Sequence, residues 1–94
     1  MHITIRQLQV FEAVARQLSY TRAAEELHLT QPAVSMQIKQ LESSVGLSLF
    51  EQLGKRVFMT QAGETMLRHA QTIMRHLATA REEMDELKGV DSGR

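Results

Sequence analysis

Residues 21–41 read TRAAEELHLTQPAVSMQIKQL and hold two short helical patterns joined by a break too tight for anything but a sharp corner. Ala23, Ala24 and Leu27 form one apolar face, His28-Leu29-Thr30 interrupts it, and Val34, Ile38, Leu41 and Val45 restart it at spacings of four, three and four. The second helix therefore has one thin buried seam. Its other positions, Gln31, Ser35, Met36, Gln37, Lys39, Gln40 and Ser43, are mostly short or amide-bearing and carry no acid before Glu42. Such a face offers donors and acceptors to a groove, as a recognition helix must. The pair predicts a helix-turn-helix over about 21–40.

Thr21 is the expected N-cap of the first helix and Thr30 or Gln31 that of the second. Pro32, the sole proline, sits in the second helix's first turn, where its missing N–H costs nothing. Alone, Thr-Gln-Pro would merely start an ordinary core helix. The alanine-rich helix just upstream changes that reading, because small side chains let two helices cross closely at a steep angle.

Outward from this pair, Thr4-Ile5-Arg6-Gln7 is a capping box with Ile3 and Leu8 as its hydrophobic staple. A scaffold helix begins there with an inward face of Leu8, Phe11, Val14, Ala15 and Leu18, and Ser19-Tyr20 closes it. Beyond Gly46, Leu49-Phe50-Glu51-Gln52 and Val57-Phe58-Met59 flank Leu53-Gly54-Lys55-Arg56, a short hairpin at about 49–59 with two cations at its tip. Beside a helix-turn-helix such a ribbon is a wing, suited to neighbouring phosphates or the minor groove; in isolation it is an ordinary charged turn. From Thr60, Met66, Ala70, Ile73, Leu77, Ala80, Met84 and Leu87 recur at alternating spacings of four and three, a heptad seam over 61–88. Part of that helix must overhang a sixty-residue globule, so its far seam calls for a second subunit. Leu67 and Met74 widen the apolar face near its start and pack back on the winged domain. Residues 89–94 lose periodicity, as a flexible hinge or chain end would. The fold class is mainly α: 1–60 a winged helix-turn-helix of three helices and a β-hairpin, then a linker and dimerisation helix.

The 94 residues, 43% hydrophobic, make one small domain plus an extension, part of something larger. The absence of cysteine excludes disulfides, thiolate nucleophiles and zinc fingers and fits a reducing cytoplasm. No run is apolar and long enough for a signal peptide or membrane span. Nucleophile, base and oxyanion donors nowhere cluster, so the chain is not read as an enzyme, and no cofactor is expected. His69 and His76, seven apart, lack metal-site spacing and are solvated helix residues. The acidic cluster Glu82, Glu83, Asp85 and Glu86 suits pairing with Arg75 and Arg81 of a partner helix. The formal net charge is zero, which counts against nucleic acid. Its distribution softens the objection: through Thr60, Arg6, Arg16, Arg22, Lys39, Lys55 and Arg56 outnumber Glu12, Glu25, Glu26, Glu42 and Glu51 by one. A competing reading is a helical protein-interaction module. A partner-binding face would show large apolar anchors, whereas Met36 stands alone among serines, glutamines and a lysine, which favours DNA.

Arg22-Ala23-Ala24, Leu29-Thr30-Gln31-Pro32-Ala33-Val34-Ser35, Ile38, Leu41-Glu42, Gly46-Leu47, Leu49-Phe50 and Thr60-Gln61-Ala62-Gly63 together resemble the N-terminal domain of LysR-type transcriptional regulators. The runs LHLTQPAVSMQIKQLE and LFEQLGK are most similar to the CbbR-like subgroup, regulators of carbon-fixation (RuBisCO) operons. The resemblance implies a homodimer through antiparallel linker helices, an interrupted palindrome in double-stranded DNA, and tetramers at full length. It also implies a C-terminal effector-binding domain, absent from this chain, through which alone a small-molecule effector would act. It assigns base contacts to Gln31, Pro32, Ser35, Met36 and Lys39. Phosphate and wing contacts are expected from Thr21, Arg22, Thr30, Gln37, Gln52, Lys55 and Arg56. Two departures stand out: many relatives carry arginine at the positions of Met36 and Gln52.

Overall fold

A computed structural model describes residues 2–91. Helix α1 spans Ile5–Gln17, α2 Tyr20–Leu27 and α3 Gln31–Val45; strands β1, Phe50–Leu53, and β2, Arg56–Met59, form an antiparallel hairpin, and α4 runs Gln61–Asp91. The capping box at α1 is complete: the Gln7 N–H donates to Thr4 Oγ1 at 3.1 Å and the Thr4 N–H to Gln7 Oε1 at 3.1 Å.

The corners between helices are short because the chain turns in the left-handed region twice without glycine, at Leu18 (φ 49°) and His28 (φ 58°). At the first corner the sequence expectation needs correcting. Leu18 is not part of the inward face; it is the left-handed cap of α1 and exposed. Ser19, not Thr21, caps α2, its extended backbone letting Oγ accept from the Arg22 N–H at 3.1 Å. Once Leu18 has reversed the chain, the next residue with a short hydroxyl is already in capping position, and Thr21 falls inside the first turn. At α3 the cap is Thr30, whose Oγ1 accepts from the Ala33 N–H at 3.2 Å. Gly46 (φ 76°) ends α3.

Phe11, Val10, Val14, Val34, Ile38, Leu41 and Leu49 are the fully buried large side chains, so α1 is the spine against which α2, α3 and α4 pack. Ala23 and Ala24 are buried at the α2 crossing. Phe50 anchors the hairpin, its ring 5.3 Å from that of Phe11 and edge-on to Tyr20 at 6.1 Å. An exposed ion-pair cluster clamps α1 to α2: Arg16 bonds Glu12 (2.9 Å) and Glu26 (2.6 Å), and Gln17 adds a bond to Glu26 (2.8 Å). These bonds, that from Arg16 foremost, hold the Glu26 carboxyl down at about 2.

The start of α4 is tied to the wing's root. Thr60 N–H donates to the Leu49 carbonyl at 3.0 Å, its hydroxyl donates to the Ser48 carbonyl at 2.6 Å, and Thr60 Oγ1 accepts from the Gly63 N–H at 3.0 Å. The helix continues through Gly89 to Asp91, beyond the expected break at 89. One glycine lowers helix propensity by only ~1 kcal/mol, too little to stop a helix already propagating. Residues 92–94, the rest of the expected tail, lie outside the described residues. At ~1.5 Å per residue α4 is roughly 46 Å long, and it sets the long axis of a body measuring 57 × 26 × 19 Å.

Candidate nucleic-acid interface

The thin seam of α3 faces inward through Val34, Ile38 and Leu41, which rotates Gln31, Pro32, Ser35, Met36, Lys39, Gln40 and Ser43 onto one outward surface. All five residues expected to read bases therefore sit together. Gln31 Nε2 donates to Ser35 Oγ at 2.7 Å, fixing two side chains one turn apart while leaving Gln31 Oε1 to accept and the Ser35 hydroxyl to donate. Met36 is 59% exposed and supplies the surface's apolar element. Gln37 is half-buried and lies off this surface.

Of the expected phosphate contacts, Thr21 and Arg22 are exposed in the first turn of α2, and Thr30 stands at the cap of α3. The wing register pairs Phe50 with Met59, Glu51 with Phe58, Gln52 with Val57 and Leu53 with Arg56. Gly54 (φ 62°) and Lys55 therefore form the two-residue turn. The two cations do not share the tip: Lys55 occupies it, whereas Arg56 opens β2 and lays its guanidinium 5.7 Å from the centre of the Phe58 ring. Side chains alternate across a strand. Gln52 and Val57 thus share the face that carries Phe50, and together with Gln31, Ser35 and Lys39 they line a cleft between α3 and the wing.

Charge is distributed better than its total suggests. Glu12 and Glu26 are engaged by Arg16, and Glu42 Oε2 accepts from the Leu49 N–H at 2.8 Å and the Phe50 N–H at 3.4 Å. Among the described residues Arg22, Lys39, Lys55 and Arg56 enter no ion pair. Three acids of the first sixty residues are consumed internally, whereas five cations, these four and Arg6, stay out of ion pairs. The Glu42 role was not legible in the sequence; a lone acid on an otherwise acid-free α3 is the signal that could have found it.

The heptad seam divides in two. Ala70 is fully buried in the chain's own core and Met66 packs against that core, which removes Ala70 from any surface offered to a partner. The heptad spacing could not show this, because the stripe that continues exposed farther along first covers α1. From there outward Ile73, Leu77, Ala80, Met84 and Leu87 are exposed, Met84 by 54% and Leu87 by 57%. Beside the root of α4, Val45, Leu47, Leu49, Ala62 and Met66 line an open apolar trough of about 660 Å³, with Leu47 61% exposed. Across the helix, Leu77 and Met74 border a second depression with Ile5.

A helix-turn-helix with an acid-free outward face, a cleft-lining wing and a protruding seamed helix defines a winged-helix domain with a long helical arm. Residues 5–64 match the bacterial regulatory helix-turn-helix protein, lysR family, and the chain belongs to that family. It is 58% identical over 93 residues, 99% of its length, to a RuBisCO operon transcriptional regulator of Allochromatium vinosum. It is also 54% identical over 89 residues, 95% of its length, to the HTH-type transcriptional regulator CbbR of Rhodospirillum rubrum. It spans only 31% and 30% of those two proteins, about a third of each. Among solved structures it is similar to the DNA-binding domain of CbnR in its DNA complex, with a TM-score of 0.84 and 29% identity, covering 90% of this chain and 98% of that one. The BenM DNA-binding domain on catB site 1 DNA gives a TM-score of 0.87 at 28% identity, covering 90% and 96%.

Proposed function

We propose that this chain is the DNA-binding and dimerising part of a regulator that controls a carbon-fixation operon, reading duplex DNA with the outward face of α3. The observation that carries the reading is that face itself: Gln31 and Ser35 preorganised by their mutual bond, Met36 exposed beside them, and no carboxylate before Glu42. A Gln amide suits adenine edges, and Pro32 and Met36 suit thymine methyls. The similarity to RuBisCO operon regulators supports the choice of operon. Dimerisation is assigned to Met66, Ile73, Leu77, Ala80, Met84 and Leu87 of α4.

Charge supports an antiparallel pairing. The first half of α4 carries Arg68 and Arg75 against Glu64, whereas the second carries Glu82, Glu83, Asp85 and Glu86 against Arg81 and Lys88. Antiparallel helices set the basic half against the acidic half, while parallel ones would stack like charges. Tetramers and effector binding belong to the rest of the regulator, as does residence in the cytoplasm to the whole.

Footprinting on DNA upstream of carbon-fixation genes tests the reading. The expected footprint is an interrupted palindrome whose half-sites lie about one helical turn, or a multiple of it, apart. Ser35→Ala should cost ~1–3 kcal/mol there and almost nothing on random duplex. Equal losses on both would remove α3 from base reading.

A further inference from the structure

Tyr20 is the one aromatic side chain at the interface that the reading above leaves unused. It opens α2, its ring is held edge-on to Phe50 at the wing's anchor, and it lines the cleft of about 230 Å³ shared by Gln31, Ser35, Lys39 and Gln52. The ring is half-buried, and its hydroxyl, which makes none of the hydrogen bonds among the described residues, is not a buried atom but reaches solvent. Glu42, which lines the same cleft, turns Oε2 to the Leu49 and Phe50 amides. Burial, and secondarily the charge of Glu42, push the phenol up from its ordinary value, so the group stays a protonated donor at every working pH. A fixed ring that holds a water-exposed O–H in a cleft is a donor whose water partner an incoming acceptor can replace.

The docking of the domain supplies one. If α3 enters a major groove and the wing lies on the neighbouring phosphates or minor groove, the sugar–phosphate strand between those grooves must cross the cleft that separates them. We infer that Tyr20, with the Lys39 ammonium and the Gln52 amide, forms a phosphate subsite there, gripping one phosphodiester of that strand. The inference rests on the DNA reading and deepens it. Glu42 and Glu51 also line the cleft and oppose an anion there, so a neutral hydroxyl donor is well suited where net positive charge is scarce.

Tyr20→Phe keeps the ring contact with Phe50 and deletes only the O–H. On the footprinted duplex it should weaken binding roughly threefold to tenfold, the scale of one lost hydrogen bond. The thermal midpoint and the salt slope should stay unchanged, because no packing and no counterion is lost. The loss should be similar on random duplex, and ethylation of one phosphate per half-site should interfere with the wild-type chain but no longer with the variant. Since Tyr20 is the only tyrosine, 3-fluorotyrosine labelling places a single ¹⁹F reporter, whose resonance should shift on adding duplex. Equal affinity, an identical ethylation pattern and an unmoved resonance with both proteins bound to DNA would overturn the subsite and leave the DNA reading standing. Failure of the wild-type chain to retard any duplex would overturn both.

Discussion

Replacing Gly63 by alanine pits two effects of opposite sign against each other. Gly63 lies in the first turn of α4, where alanine is the better helix former by at most ~1 kcal/mol. A Cβ at this position would overlap the Leu49 carbonyl oxygen, and would lie 3.1 Å from its carbon and 3.4 Å from Met59 Cβ. That oxygen cannot drift aside freely, because it accepts the Thr60 N–H at 3.0 Å in the cluster that joins α4 to the wing's root. Relief requires backbone movement, at the ~1–3 kcal/mol typical of overpacking, and weakens at least one hydrogen bond worth ~1 kcal/mol. The clash wins, by about 1–3 kcal/mol net. For a domain of this size the midpoint of thermal unfolding, followed by circular dichroism, should fall on the order of 5–20 °C. Gly54→Ala is the control: nothing lies within 4 Å of its added Cβ, so only the positive φ of 62° is penalised, at roughly 1 kcal/mol. A Gly63→Ala midpoint equal to or above that of the wild type would refute the reasoning, because it would mean that helix propensity governs the junction.

Leu77→Glu or Met84→Glu would place an unpaired carboxylate in the proposed helix pair; sedimentation should show monomers, and an unchanged dimer would move the contact elsewhere. Gln52→Arg should tighten DNA binding and steepen the plot of log affinity against log salt by roughly one unit, and Lys55→Ala should flatten it comparably; slopes unmoved by both would turn the hairpin away from DNA. Glu26 is held at about 2 by Arg16 and Gln17, so its contribution is fully present above the free value of 4.5 and is lost as pH falls toward 2. The midpoint difference between wild type and Glu26→Gln should therefore be largest near neutrality and shrink through that acid window, modestly because the pair is exposed.

Periodicity made α3, the hairpin and the seam of α4 legible, because each depends on spacing that the chain alone specifies. The Ser19 cap was not, since Thr21 is an equally good capping residue until the left-handed turn at Leu18 fixes where the backbone reverses. Ala70 illustrates a second limit: a heptad stripe says that a face is covered but not by whom. The separation of Lys55 from Arg56 follows from a two-residue turn two positions narrower than the loop read from sequence, one at each end. The Gln31–Ser35 bond is a four-residue spacing visible in the sequence, whereas the bonds from Glu42 to the Leu49 and Phe50 amides exist only once the wing folds back.

Because α4 is mortised into the domain at Thr60 and Ala70, it acts as a lever whose fulcrum is the core. About 21 residues lie beyond Ala70, an arm of roughly 32 Å, and no glycine interrupts it before Gly89. A tilt of roughly 10° at the root would carry the far end about 5–6 Å, and the converse holds for a push applied there. Torque on the arm thus passes first to α1 and β2, the elements α4 packs against, and in the proposed dimer the span between two reading heads would answer to strain applied far from either.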